Sequence, residues 1–247
     1  MNLRLLTASL VVALSANIAF ADEEEEHADI LVGRPTTGTQ TLIGGANVPD
    51  DLNLDERLFE GELGTRTSGS PTNNVFFALE PGFFNAGVPD PMTGLGREDA
   101  VNPAGVEPLI EDDEISVAQV GQLLFWDGAR PIAFGSTPAD LAIFPLDNQA
   151  DVNGSIDDHP LFEIDLPGSD SLPAGGVYLA TLTAQITGPN GTLGISDEFQ
   201  ILFAPEAFEE ELEIAEAFLT GEIPEPASLT LVATLAVFAV RRRSRIA

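Results

Sequence analysis

Glycine and proline interrupt this chain so often that only short stretches of regular structure fit between Asp22 and Ala204. The 247 residues include 23 Gly and 18 Pro, and 44% of all residues are hydrophobic, which is enough to build a core. Short apolar runs bounded by turn residues, without helices between them, favour a sandwich or barrel over a parallel sheet. We therefore predict an all-β body over residues 22–204, an Ig-like or jelly-roll β-sandwich. Its predicted strands lie at 30–32, 41–43, 75–79, 122–126, 132–134, 141–144, 161–166, 177–186 and 199–203.

The clearest predicted strand begins at Val177, because its side chains alternate in character. Apolar residues at 178, 180, 182, 184 and 186 share one face, and Thr or Gln at 181, 183, 185 and 187 share the other. This period of two is typical of a half-buried strand. The turn residues at 188–191 then predict a partner strand over 197–203. The Gly-Val-Tyr start at Gly176 resembles the second-last strand of many Ig-like bacterial domains, and this resemblance implies a tyrosine corner at Tyr178.

Residues 80–114 differ from the rest of the body. Ten Gly and Pro residues break every hydrophobic period in this segment. We predict a long irregular loop region here rather than a domain boundary.

One helix is predicted, over residues 205–221. Pro205 suits a first turn and Gly221 suits a stop. Phe208, Leu212, Ala215 and Leu219 recur at helical spacing, with glutamates on the opposite side. We predict that this apolar stripe packs on the edge of the sandwich.

The N-terminus has the three parts of a secretory signal. Residues 1–21 contain no acid, Arg4 gives a positive start, and an apolar region follows. Ala19 and Ala21 form the small-x-small pattern that signal peptidase recognises. We predict export, with cleavage after Ala21.

The C-terminal segment 222–247 combines a short apolar stretch with a basic end. Pro224, Glu225 and Pro226 precede fourteen residues at 227–240 that would rise only about 21 Å as a helix, less than the ~30 Å of a bilayer core. We predict a short transmembrane helix there, held by the basic residues Arg241, Arg242, Arg243 and Arg245. This order of parts resembles the PEP-CTERM sorting signal of Gram-negative bacteria. The resemblance implies processing by an exosortase, a membrane-tethered precursor, and a final place at the cell surface or outside the cell.

Charge and cysteine content exclude several function classes. The segment from Asp22 to Glu225 holds all 40 acids and five of the ten arginines, so its net charge is five minus 40, or −35. Such a body is unsuited to nucleic acid, whose phosphates need basic patches. The absence of Cys excludes disulfides and thiolate chemistry. No serine-nucleophile elbow, His-Glu-x-x-His helix or phosphate-binding glycine loop occurs, so we predict no enzyme.

Three places in the chain carry candidate metal ligands. His27 is followed two residues later by Asp29, and His159 follows two acids; imidazole and carboxylate together suit zinc. Asp51, Asn53 and Asp55 have the spacing of a calcium loop, although Glu56 stands where such a loop needs glycine. These candidates leave open either a calcium or zinc site, or exposed histidines and ordinary turns. The acid-rich stretch at 147–154 is interpreted as turn chemistry.

The body also resembles a family of exported PEP-CTERM proteins, some of which are linked to zinc-responsive repressors. The resemblance rests on His-Ala-Asp-Ile at 27–30, Phe-Glu-Gly-Glu-Leu at 59–63, Glu-Pro-Gly-Phe at 80–83, Leu-Phe-Trp-Asp-Gly at 124–128 and the Gly-Val-Tyr strand. It covers most of the chain and implies a zinc-related role.

Three functional hypotheses follow. The first is a non-catalytic protein of the cell surface or extracellular matrix, whose partners are signal peptidase and exosortase during export and then polysaccharide, cations or neighbouring proteins. The second is a secreted protein that binds calcium or zinc. The third is a hydrolase that cleaves glycans with paired carboxylates.

Overall fold

A computed structural model describes residues 29–47, 51–68, 73–88, 102–146 and 148–221. These residues form sixteen strands, one 3₁₀ turn and one α-helix. The strands are β1 (Asp29–Pro35), β2 (Leu42–Asn47), β3 (Asp51–Asn53), β4 (Leu58–Ser68), β5 (Asn73–Ala78), β6 (Phe83–Ala86), β7 (Val106–Glu107), β8 (Glu114–Gln119), β9 (Leu124–Trp126), β10 (Gly135–Ser136), β11 (Asp140–Ile143), β12 (Ser155–Asp158), β13 (Phe162–Asp165), β14 (Val177–Gly188), β15 (Gly191–Thr192) and β16 (Phe199–Pro205). The helical turn Glu206–Phe208 leads into α1 (Glu209–Leu219). The all-β prediction is confirmed at this level.

The strands form two sheets. The first has the order β12-β6-β1-β2-β3, with β7 paired to the end of β1. The second has the order β10-β9-β14-β16-β4-β5-β13-β11, with β8 and β15 also paired to β14. Most pairs are antiparallel, but β1 with β6 and β4 with β16 run parallel. The Ig-like or jelly-roll connectivity stays a prediction.

Side chains of both sheets meet in one core. The first sheet contributes Ile30, Val32, Ile43, Phe83 and Ile156, and the second contributes Phe59, Phe162, Tyr178, Ile201 and Phe203, among others. Burial of this apolar area is the main favourable term in folding. The shared core therefore fixes the position of the first sheet relative to the second.

The strand β14 confirms the period-two prediction. Tyr178, Ala180, Leu182, Ala184 and Ile186 are fully or almost fully buried, and β16 returns antiparallel with Tyr178 opposite Phe203. The Tyr178 hydroxyl donates a hydrogen bond to the carbonyl of Ala174, four residues upstream, as in a tyrosine corner. Burial raises the pKa of this hydroxyl to about 12, so it stays neutral and structural.

Two sequence expectations need correction. The segment 80–114 is not wholly irregular, because it contains β6, whose residues are all buried, and the short β7. Because Gly and Pro residues surround the four-residue strand β6, the sequence shows no hydrophobic period there. Residues 132–134 form no strand; Ile132 and Phe134 instead pack beside Trp126.

The helix prediction is confirmed, with slightly tighter bounds. Ala215 of α1 is buried against a cluster on the outer face of the second sheet, and Phe208, Leu212 and Leu219 pack there as well. Glutamates at 209–211 lie in the first turn, where the positive end of the helix dipole favours acids.

Candidate functional site

Three neighbouring strands bring candidate ligands to one end of the first sheet. Asp29 begins β1, the segment 79–82 precedes β6, and His159 directly follows β12. Strand β6 lies between the other two, and its residue Phe83 pairs with Ile30 on one side and with Asp158 on the other. One residue further out, the same register places Gly82 level with both Asp29 and His159.

The carboxylates of Asp29 and Glu80 and the imidazole of His159 form a cluster, here called the 29–80–159 cluster. One ligand atom from each residue lies within 4.8 Å of the others. The His159 Nδ1 atom lies 3.2 Å from Glu80 Oε2 and also 3.2 Å from the carbonyl oxygen of Leu79. The His159 and Glu80 side chains are 37% and 38% exposed, so the cluster is open to solvent on one side.

A third acid lies at the outer side of the His159 ring. Asp157 Oδ1 lies 3.6 Å from His159 Nε2. Its neighbour Asp158 holds the local backbone, because its carboxylate accepts hydrogen bonds from the N–H groups of His159 and Asn148. The ring therefore has Nδ1 turned to Glu80 and Leu79, and Nε2 turned to Asp157.

Gly82 allows the cluster to be this compact. Its N–H donates a hydrogen bond of 3.1 Å to Asp29 Oδ1. A Cβ atom at this position would lie 2.6 Å from the His159 ring and 2.8 Å from Asp29 Oδ1, closer than real Cβ contacts. Only glycine leaves room for both side chains.

The electrostatics of the cluster show how its charges depend on one another. Burial raises the pKa of Asp29, and the charges of Glu80 and Asp157 raise it further, against the opposing effect of His159. For His159, burial by itself lowers the pKa. The negative charges of Glu80, Asp29 and Asp157 and the Leu79 carbonyl outweigh burial, so the pKa is raised. Three carboxylates around one imidazole leave excess negative charge that a divalent cation would offset.

The ligand types favour a particular class of ion. One imidazole nitrogen and two carboxylates, with a backbone carbonyl nearby, suit zinc and similar divalent transition metals. Calcium takes six to eight oxygen ligands, and soft copper(I) prefers sulfur, which this cluster lacks. Three protein ligands and an open side leave room for water or one further ligand.

The structure brings together two of the six residues proposed as metal ligands from the sequence. Asp29 and His159 belong to the cluster, whereas His27 lies outside the described residues. Glu80 was missed as a ligand, since it lies in the segment interpreted as an irregular loop. Its one signal is that it begins the Glu-Pro-Gly-Phe stretch on which the second family resemblance rests.

The residues proposed for a calcium loop do not belong to the 29–80–159 cluster. Asn53 ends β3, and its side-chain oxygen accepts a hydrogen bond from the N–H of Asp55, which is turn chemistry. The side chain of Asp51 lies outside the described part. In the stretch 148–154 the carboxylate of Asp151 caps its own turn by accepting bonds from the N–H groups of Asn153 and Ser155, as the sequence predicted. Within the described residues, only the 29–80–159 cluster gathers three potential metal ligands.

The sorting and cleavage residues fall outside the described part of the chain. They are Ala19, Ala21, Pro224, Glu225, Pro226, Arg241, Arg242 and Arg243. Among the helices that are described, none is long and apolar enough to cross a membrane. The predicted membrane helix at 227–240 also lies outside this range.

Comparison of the chain with protein-family models, with curated proteins and with solved structures gives no match.

Proposed function

We propose that this protein is an exported, non-catalytic protein that binds a divalent transition-metal ion, zinc or one of similar chemistry, at the 29–80–159 cluster. The observation that supports the proposal is the convergence of three ligand atoms within 4.8 Å from three separate strand ends. The imidazole that faces two carboxylates, and the glycine whose missing Cβ makes room for them, also support the proposal. Binding of metal would join β1, β6 and β12 at their shared end.

Metal titration of the purified, metal-free chain tests the proposal. We expect saturable binding of one zinc or manganese ion, and weak, unsaturable uptake of calcium or magnesium. Substitution of a ligand, His159→Ala or Glu80→Gln, should weaken affinity by at least about tenfold, as loss of even an orienting partner does. Glu111→Gln is a matched control, because Glu111 is an exposed acid outside the cluster.

Two results would contradict metal binding at this cluster. One is the absence of saturable binding, which would leave the cluster as a structural contact between His159 and the acids beside it. The other is a His159→Ala variant that binds as tightly as the wild type. His27→Ala is measured in parallel, because His27 lies two residues from Asp29 in sequence; its loss of affinity would identify a fourth ligand.

We propose export and sorting from the sequence alone. The signal-peptide pattern at 1–21 and the PEP-CTERM-like tail at 222–247 support processing by signal peptidase and exosortase, and a place at the cell surface. In a host that encodes an exosortase, intact-mass measurement should find the tail removed. Replacing Pro224, Glu225 and Pro226 together by alanine should leave the tail attached. If the tail is removed from both the wild type and this variant, or from neither, the proposal is refuted.

We also propose that the all-β body is an Ig-like or jelly-roll sandwich. The shared core of the two sheets and the tyrosine-corner hydrogen bond of Tyr178 support this finer assignment. Hydrolysis of glycans by paired carboxylates stays an alternative prediction, which turnover assays on polysaccharides would test.

A further inference from the structure

A cavity opens at the surface of the second sheet, beside strands β8 and β11. Its volume is about 610 Å³, within the range of about 300–1,000 Å³ that is usual for ligand sites. Its lining consists of residues 114–117 of β8, the stretch 143–146 at the end of β11, and Asn148, Gln149, Pro160 and Thr187. None of these residues belongs to the 29–80–159 cluster, so the cavity is a separate site.

The polar side chains of the lining are accessible to a ligand. All of them are exposed, namely Glu114, Ser116, Asn148, Gln149 and Thr187. The side-chain amide of Gln149 donates a hydrogen bond to the carboxylate of Glu114. A carboxylate has two acceptor oxygens, and a side-chain amide has one oxygen and two N–H groups, so this pair keeps further hydrogen-bonding capacity. The pair therefore offers both donors and acceptors, which suits hydroxyl groups.

The backbone of β8 adds hydrogen-bonding groups on the same side. Val120 donates its N–H to the carbonyl of Thr181, so the register makes 114, 116 and 118 the residues that bond to β14. In an antiparallel ladder the alternate residues turn their N–H and C=O groups the other way. Ile115 and Val117 have this orientation, and both line the cavity. Because the strand already holds these groups in place, they can bind a polar ligand with little further loss of freedom.

Apolar side chains form the rest of the lining. Phe144 is 43% exposed, and Pro145 beside it is exposed as well. Ile115 is buried, and Val117 and Ile143 pack against the main core. A ligand with an apolar face would gain free energy by burying that face against these side chains.

The charge and polarity of the lining select one class of ligand. Among the described residues that line the cavity, Glu114 is the one with a charged side chain, and the body around it is strongly negative. Phosphates, sulfates and carboxylates would be repelled there and would meet no basic partner. A wholly apolar ligand would bury the polar side chains without hydrogen bonds, which costs free energy. An uncharged sugar ring has hydroxyls around its rim and CH groups on its faces, so it matches both parts of the lining.

We propose that this cavity binds a neutral saccharide segment of one or two rings. Glu114 and Gln149 hold its hydroxyls by hydrogen bonds, and Phe144 packs against the CH groups of one ring. The outward backbone groups of β8 fix its orientation. This site goes beyond the proposed metal binding and does not depend on it, because the two share no residue.

Titration of the full chain with neutral disaccharides tests the proposal. The probes are cellobiose, lactose, mannobiose and N,N′-diacetylchitobiose, each followed by heteronuclear NMR in EDTA. We expect saturable binding of at least one of them, with shifts of the methyl resonances of Ile115, Val117 and Ile143. Digalacturonate, a disaccharide with two carboxylates, should bind at least about tenfold more weakly than that probe, because the negative body repels it.

Two substitutions in the lining locate the binding. Phe144→Ala removes an apolar contact and Gln149→Ala removes a polar one; each should weaken affinity for the bound disaccharide by at least about fivefold. Leu172→Ala and Gln122→Ala are matched controls, because both residues are exposed and lie outside this cavity. The controls should bind as the wild type does. If Phe144→Ala does not fold, Gln149→Ala still tests the site, since its side chain is exposed.

Several outcomes would overturn the proposal. These are the absence of saturable binding by all the neutral disaccharides, binding of digalacturonate that is equally tight, and unchanged affinity in both lining variants. Binding that shifts the resonances of Glu80 and His159, and leaves those of Ile115 and Ile143 unchanged, would assign the saccharide to the 29–80–159 cluster instead.

Discussion

Gly82 determines the geometry of the 29–80–159 cluster although it supplies no metal ligand. Its N–H orients Asp29, and the empty space where a Cβ would stand admits the His159 ring. A methyl group there must displace one or both side chains, because packed groups yield only by leaving their preferred positions.

We predict that Gly82→Ala lowers metal affinity by at least about tenfold and stability by about 1–2 kcal/mol. Gly135→Ala is the matched control, because nothing lies within 4 Å of its added Cβ; its stability should change by less than about 0.5 kcal/mol. Metal titration and urea unfolding measure the two effects. Unchanged affinity in Gly82→Ala would show that the ring and Asp29 need not be held this closely.

The pKa shifts in the cluster predict a pH dependence of the metal-free protein. The folded-state pKa of His159 is raised above 6.5, so above that pH the folded chain binds more protons than the unfolded chain. The contribution of His159 is therefore complete below pH 6.5 and is lost as pH rises through the folded-state pKa. The pKa of Asp29 is raised above 3.8, so its contribution likewise falls as pH rises just above 3.8.

In urea unfolding with EDTA, stability should decline as the pH rises above 6.5, and His159→Gln should remove most of that decline. His27 is present in both chains, so the difference between them isolates His159. If the stability of His159→Gln declines with pH as steeply as that of the wild type, then the decline comes from a group other than His159.

At the scale of elements, the position of α1 depends both on its local sequence pattern and on its tertiary contacts. Its apolar residues at helical spacing give it one face to bury, and that face covers the outer side of the second sheet near Trp126 and Leu202. The exposed face carries glutamates and contributes little to packing. The helix is therefore held by its contact with β14 and β16, and not by its own eleven residues.

We predict that Ala215→Glu lowers stability by about 2–4 kcal/mol, because it would bury a carboxylate without a partner. Glu213→Ala, on the exposed face of the same helix, should change stability by less than about 0.5 kcal/mol. Urea unfolding of both variants compares them directly, and similar values would mean that α1 is not docked. Zinc affinity should be unchanged in each.

At the scale of the whole molecule, self-repulsion opposes the compact state. A few arginines neutralise individual acids. Arg34 makes two hydrogen bonds to the buried Asp113. Arg66 of β4 forms an ion pair with Glu163 of β13 in the same sheet. Most other acids in the described part of the chain are exposed, so ions in solution must screen them.

We predict that sodium chloride and magnesium raise the melting temperature gradually and without saturation, by screening. Zinc should raise it at much lower concentration and saturate, as binding to the folded state alone requires. The two effects separate in His159→Ala, which should keep the salt response and lose the zinc response. A zinc shift that survives this substitution would be evidence for diffuse neutralisation.

The sequence alone predicts the strand character of the body, the alternation of β14 and the position of α1. These features depend on the spacing of apolar side chains and on Gly and Pro, which act within a few residues. It also supplied Asp29 and His159 as metal candidates, from residue type and the acids beside them. It missed β6, which lies in the Gly- and Pro-rich segment 80–114, and also the longer strands β4 and β8, which fall outside every predicted strand.

Which ligand residues lie close together follows from the pairing of strands that are distant in sequence. Glu80 joins Asp29 and His159 because parallel pairing of β1 with β6, and antiparallel pairing of β6 with β12, align three distant strand ends. This arrangement depends on long-range strand pairing and on the core that the two sheets share. Local periodicity indicates which face of a strand is buried, but it carries no information about which strand lies beside it.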